Sequence, residues 1–258
     1  FSCSETAFRP KIADSHQKML DLLAEVRQKI RHPNNGFDSE PRLAYCDSVL
    51  SKTTDKWKRM SMQFVKAGFL LEHGDEAQAV ALYEDLIQHV DENPEGRKQL
   101  LLSLGTAYMR LAERNNCLKG HTSDACIMPI QGNGVHEDKA AARKATNIFI
   151  KILVDDPKDL DALWLLNIAY MTLGEYPKNV PAQFLIPGLD APGYRVQPFI
   201  DMAPDLKLDL SNRSGGSIVD DFDNDGFLDI VTTAWGLDDP MHFFKNNGDG
   251  TFTDVSEK

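Results

Sequence analysis

Residues 215–231 read Gly215-Gly216-Ser217-Ile218-Val219-Asp220-Asp221-Phe222-Asp223-Asn224-Asp225-Gly226-Phe227-Leu228-Asp229-Ile230-Val231. The centre of this stretch has the form D-x-D-x-D-G-x-x-D, and short runs of β-branched residues flank it on both sides. Alternate carboxylates in a tight turn bring their oxygens toward one point, and the glycine after the third acid allows the positive φ that such a turn needs. Acids crowded this closely repel one another, and a cation removes that cost. Calcium takes about six to eight oxygen ligands, whereas zinc favours nitrogen and sulfur, which the stretch does not offer. We therefore expect Asp221, Asp223, Asp225 and Asp229 as side-chain ligands of Ca2+, and Phe227 as a carbonyl donor. The spacing resembles the first half of an EF-hand. The closing glutamate is missing, however: Thr232 holds its place, and Ile230-Val231-Thr232-Thr233 is a strand pattern in place of an exiting helix.

Toward the C-terminus, Leu228 to Ala234 and His242-Phe243-Phe244-Lys245 continue as strand-like runs, followed by the hairpin signal Asn246-Asn247-Gly248-Asp249-Gly250. Phe199-Ile200-Asp201-Met202-Ala203 is echoed by Phe252-Thr253-Asp254-Val255-Ser256. We read the echo as one complete β-unit and the start of a second.

Toward the N-terminus the pattern changes class. Met19, Leu22, Leu23, Val26 and Ile30 repeat at helical spacing over residues 12–31, and the helix stops near Pro33-Asn34-Asn35-Gly36. A second helix is expected from Pro41. A third is expected from about Thr54 on the stripe Trp57, Met60, Phe64, Ala67 and Leu71, and a fourth from Glu76 to Val90. These helices pair periodically. Gly74, Ala79 and Tyr83 take the turn glycine, the small contact and the aromatic of a helix–turn–helix unit. Leu104, Gly105 and Tyr108 open the next unit, and Ala145, Phe149 and Pro157 finish it. Leu166, Tyr170, Gly174 and Tyr176 start a third. This pattern resembles the tetratricopeptide repeat, in which small residues let two helices approach and each unit buries its remaining face on the next.

Residues 115–138 interrupt the second unit with three glycines and a proline, which exclude regular helix. A loop this long inside a compact repeat calls for a purpose. Cys117, His121, Cys126 and His136 fall in it. We read Cys117–Cys126 as a disulfide pinning the loop, with a Cys2His2 metal site as the alternative, although the spacing matches no zinc signature. Cys3 and Cys46 complete an even count of four and are candidates for a second disulfide; a lipid anchor at Cys3 is the less favoured reading.

The stretch Gly215 to Val231 together with Phe243-Phe244-Lys245-Asn246-Asn247-Gly248-Asp249-Gly250-Thr251-Phe252-Thr253-Asp254-Val255 looks like an FG-GAP/VCBS repeat of the integrin-α type. From about residue 60 onward the chain is similar to bacterial proteins that join tetratricopeptide units to such a β-propeller, often with an ASPIC/UnbV domain as in cartilage acidic protein. The resemblance implies a secreted or cell-surface location and a multi-bladed propeller. This sequence departs from it by stopping after one unit, whose open edges and half core call for completion by further chain, other copies or partners.

The fold expected is therefore α+β and multidomain. It comprises N-terminal helices over 1–59 packing on a solenoid, helical repeats over 60–180, a linker over 181–198, and a calcium-binding antiparallel β-unit over 199–258. Hydrophobic residues make up 42% of the 258, enough for a packed core, and no apolar run is long enough to span a bilayer. The net charge is −11, and residues 199–258 carry 13 Asp/Glu against 4 Lys/Arg. This distribution argues against nucleic acid and for cations. No nucleophile elbow, phosphate loop or dinucleotide fingerprint is present, so we expect no enzyme. The expected function is calcium-dependent contact with a protein partner or with other copies. The alternatives are a self-assembling polymer subunit, and a metal or redox protein built on the Cys/His insertion.

Overall fold

The structure is a computed structural model that describes residues 9–90, 94–119, 123–125, 128–189 and 199–256, with the backbone alone for 9–16, 123 and 214. It is helical for most of its length and ends in one small antiparallel sheet. By contacts the chain divides into two units, Leu43–Asp201 and Phe1–Arg42 together with Met202–Lys258.

The first of these is built from α2 (Ser39–Lys52), α3 (Lys56–His73), α4 (Glu76–Ile87), α5 (Pro94–Cys117), α6 (Ala140–Asp155) and α7 (Leu160–Thr172). From α3 onward each helix packs on the next in sequence, the order expected of stacked helical pairs. Local chemistry sets the ends. Asp55 caps α3 by accepting from the Lys58 amide at 2.7 Å, and Asp159 caps α7 by accepting from the Ala162 amide at 2.9 Å. Gly74 and Gly174 end their turns in the left-handed region, at φ +92° and +71°, which a side chain would resist. In both turns the next amide reaches back to a helix carbonyl, Asp75 to Leu70 and Glu175 to Tyr170.

The core runs between α5, α6 and α7, where Phe149, Ile152, Leu153 and Leu166 are fully buried. Gly105 makes the α5–α6 approach achievable: a Cβ there would stand 2.5 Å from the Phe149 ring.

α5 runs on through Cys117, so the first three residues of the expected insertion are helical. The neck of the insertion is closed by Asn116, which accepts from the Asp138 amide at 3.0 Å and donates to the Asp138 carbonyl at 3.1 Å. Among its described residues it holds only two short 3-10 turns, Ser123–Ala125 and Gly132–Gly134. The His136 amide then donates to the Thr172 carbonyl at 2.8 Å, seating the returning chain on the end of α7.

The first residues of the expected linker are packed structure. Asn167, fully buried on α7, donates to the Phe184 carbonyl at 2.9 Å and accepts from the Ile186 amide at 3.1 Å. The buried amide thus has its hydrogen bonds met and holds this segment down.

In the second unit, α1 (Arg9–Ile30) forms as its periodicity predicts. Its apolar residues Met19, Leu22, Leu23 and Val26 are exposed, however, where a packed face was expected. The unit also groups residues 1–42 with the C-terminal segment, which differs from the expected boundary at 59. Arg27 and Arg31 both pair with Asp238, and the Phe37 and Trp235 rings meet at 4.9 Å. A short turn of helix, α8 (Ala203–Leu206), precedes the sheet.

The sheet is an antiparallel meander of β1 (Ser214–Asp220), β2 (Asp229–Ala234), β3 (His242–Asn246) and β4 (Phe252–Asp254), in spatial order 1-2-3-4. Val219 faces Ile230, Ile230 faces Phe244, and Asn246 faces Phe252. Phe252–Asp254 therefore completes this sheet and does not begin a second unit. Gly248 and Gly250, at φ +75° and +86°, fold the chain straight back along β3. Its sequence echo at Phe199 forms no strand.

Candidate metal centre

The loop between β1 and β2 is shaped by hydrogen bonds from its own amides to its own carboxylates. Asp221 accepts from the amides of Asp225 at 3.1 Å and Gly226 at 2.9 Å, and Asp225 accepts from the Phe227 amide at 3.0 Å. Asn224 and Gly226 take positive φ, +60° and +92°, so the chain turns tightly enough for alternate residues to face inward. Ligand oxygens of Asp221, Asp223 and Asp225 come within 4.8 Å of one another, and among the described residues no other group of three His, Cys, Asp or Glu side chains does so.

Two oxygens bound to one calcium ion lie at most twice the bond length apart, about 4.6–5.2 Å. The three ligand oxygens lie within 4.8 Å of one another, inside the upper part of that range, and the donors are all hard oxygens on residues that are exposed or half-buried. By distance and chemistry, the three side chains could hold a metal ion.

Asp229 does not join them. It is fully buried at the start of β2, and its two oxygens accept from the amides of Phe222 at 3.1 Å and Asn246 at 2.8 Å. Asn246 in turn donates to the Leu228 carbonyl at 3.0 Å. The expected ligand is here a staple joining both sides of the loop to β3. The Phe227 amide donates into the loop, while its ring covers Gly248, where a Cβ would stand 2.7 Å from the ring.

Lys245, on β3, was not foreseen as part of this site. Its ammonium lies 2.9 Å from Asp225 and also bonds Asp223. That contact is the first cause holding the Asp225 carboxyl below its usual range, and the two carboxylates push the Lys245 pKa up. A second polar pair braces the sheet further along: His242 meets Asp254 at 2.8 Å. The Asp254 carboxyl is lowered to about 2, first by the Ser256 hydroxyl and amide and then by His242.

The Cys/His constellation is only partly in view. His121, Cys126 and Cys3 lie outside the described residues, so neither expected disulfide can be placed. Cys117 and His136 line one cavity of about 100 Å3, His136 is buried, and its Nδ1 has no hydrogen-bond partner. Burial pushes the His136 pKa down. Cys46 is fully buried. Among the described residues no helix is long and apolar enough to cross a membrane. No family model, curated protein or solved structure matches this chain.

Proposed function

We propose that the chain is an extracytoplasmic calcium-binding contact protein, in which the ion stiffens the β-unit and the helical unit offers a surface to a protein partner. The observation that carries this reading is the convergence of Asp221, Asp223 and Asp225 to within 4.8 Å on a turn whose backbone already points them inward. Asp221, Asp223 and Asp225 would hold the ion, and Asp229 would fix the loop beneath it. The ion supplies charge neutralisation and a crosslink between alternate residues of the loop; it has no reaction to perform. The likeness of the loop and its flanking strands to an FG-GAP/VCBS repeat supports the same reading and suggests the secreted or surface location.

Hydrogen exchange on the full chain, with Ca2+ and with chelator, tests the proposal. Calcium should slow exchange over residues 215–256 and leave α3 to α7 unchanged. Equal protection in both conditions would sink the idea. Polymer formation is a second reading, favoured by one observation: among the described residues, β1 and β4 each pair on one side only. Size exclusion with and without chelator separates the two, since only the polymer changes mass.

A further inference from the structure

Two hollows meet beside the turn between α1 and α2, and all the residues that line them belong to one unit. One, of about 570 Å3, is mostly apolar, with Ile30, Phe37, Trp235 and Leu237 in its walls. The other, of about 280 Å3, is acidic: Asp38, Glu40, Asp238 and Asp239 line it against two bases, Arg31 and Arg213. The two share Phe37 and Leu237, so an aromatic hollow opens onto a carboxylate-lined one.

The aromatic pair is exposed and fixed. Phe37 and Trp235 are 64% and 58% exposed, and their rings meet at 4.9 Å with their planes tilted by 56°. The Phe37 amide donates to the Asn35 side chain at 3.1 Å, and the Trp235 amide donates to the Arg213 carbonyl at 2.8 Å. Aromatic faces carry negative potential and attract cations.

The carboxylates carry the second half of the argument. Asp38 is only 8% exposed. Its Oδ1 accepts from the Glu40 amide at 3.3 Å, but its Oδ2 is buried without a hydrogen-bond partner. Leaving such an oxygen unpaired is costly, and a donor that reached it would remove the cost. Asp239 is half-buried and accepts from the Arg213 amide at 3.1 Å; Gly236 makes room for it, since a side chain there would collide with the Asp239 carboxylate. Most of the nearby bases are engaged. Arg31 pairs with Asp238, Lys29 pairs with Glu25, and His32 Nδ1 accepts from the Asn34 amide at 3.2 Å. Asp38, Glu40 and Asp239 are then set against Arg213 alone. No three of these acids bring ligand oxygens within 4.8 Å of one another, so their spacing suits a cation larger than a bare metal ion.

We propose that this cleft binds an alkylammonium ion, whose N–H groups meet Asp38 and the carboxylates beside it while its carbon chain lies on the Phe37 and Trp235 rings. A primary ammonium has the donors that Asp38 Oδ2 lacks, and a quaternary ammonium has none. A free amine and a lysine side chain of another molecule carry the same group. The inference goes beyond the calcium reading and does not rest on it, since no residue of the cleft belongs to the 221–225 loop.

The test is calorimetric titration of the full chain with n-pentylamine, in chelator and again in Ca2+. The amine should bind equally in both and weaken with added salt. Choline, which has no N–H, should bind about tenfold or more weakly, and pentanoate, with a similar carbon chain and the opposite charge, should not bind. Asp38→Asn keeps an acceptor for the Glu40 amide and removes the charge; it should weaken the amine by about tenfold or more, and Phe37→Leu should weaken it by about threefold or more. Hydrogen exchange of the wild type should show amine-induced protection over residues 31–40 and 235–239, a readout that survives if a variant misfolds. A blocked lysine, N-acetyl-lysine methylamide, identifies the source: tighter binding than pentylamine sustains the proposal with a lysine side chain as ligand, and weaker binding sustains it with a free amine. No binding of pentylamine, equal binding of choline or pentanoate, undiminished binding by Asp38→Asn, protection elsewhere, or displacement of the amine by Ca2+ would overturn it. Amine binding alongside calcium-independent exchange over 215–256 would overturn the metal reading and leave this one standing.

Discussion

The Lys245 ammonium lies 2.9 Å from the Asp225 carboxylate and bonds Asp223 as well, so a tethered cation stands where two of the three converging acids would meet a free one. Both acids are partly exposed, and surface pairs of this kind are weak. An ion of twice the charge should displace the lysine, but against a modest penalty. Lys245→Met keeps the aliphatic stem on the sheet and removes the competitor. Calcium titration by calorimetry should then give an affinity about two- to tenfold tighter than that of the unsubstituted chain. An unchanged or weaker affinity would show that the lysine does not oppose the ion.

The two kinds of aspartate in this loop should respond differently to the same change. Asp229 is fully buried and gives one oxygen to each of two amides, Phe222 and Asn246. Asp229→Asn places an amide donor against one of those donors, so a buried N–H loses its acceptor. The expected cost is about 1.5–3 kcal/mol to the β-unit even with chelator present, read as faster exchange across β2 and β3. Asp223→Asn should leave the sheet unchanged in chelator and lower only the calcium affinity. If both variants behave alike, the division into staple and ligand is wrong.

These roles divide what the sequence could and could not tell. Spacing alone announced the loop, because alternation and a glycine are local properties. Asp229 shared the spacing but not the fate, since its role is decided by β3 pairing beside β2, where the Asn246 amide reaches it from 17 residues away. The lysine left a signal that spacing rules do not use: it is the sole Lys or Arg between Arg213 and Lys258, within the most acidic segment. The turn glycines Gly74 and Gly174 were legible because a helix's C-terminal turn is a local property; the caps Asp55 and Asp159 were equally local but were not read. The place of Phe252 was not legible, because a sequence echo says which residues are alike and the hairpin register says which ones pair.

The α5–α6 approach rests on Gly105 against Phe149, and substitution there should be costly in spite of the better helix propensity of other residues. A Cβ would stand 2.5 Å from a fully buried ring that has nowhere to move. Gly105→Val should destabilise the helical unit by about 1–3 kcal/mol in urea unfolding followed by circular dichroism. Combining it with Phe149→Leu should cost less than the sum of the two single changes, since the smaller side chain vacates the space. Gly36→Ala, with no atom within 4 Å of the added carbon, should change stability by about 0.5 kcal/mol or less. Additive costs for the pair would show that the ring is not what the glycine accommodates.

His136 gives the helical unit a pH dependence whose sign follows from its burial. Its amide is tied to the Thr172 carbonyl, its Nδ1 has no partner, and desolvation lowers its pKa in spite of the opposing pull of Glu113 and Asp138. The folded chain therefore holds the ring neutral, while the unfolded chain takes up a proton near the ordinary histidine value of about 6.5. Above that value neither state gains a proton and the stability is whole. As the pH falls through and below it, the unfolded state binds the proton that the folded state resists, and stability declines. Urea midpoints for the unsubstituted chain should be lower at pH about 5 than at pH about 7.5. His136→Met, which keeps an unbranched side chain in the site and removes the titrating ring, should narrow that gap while every other titrating group stays in place. A gap of the same width in both proteins would mean that the buried imidazole is not its source.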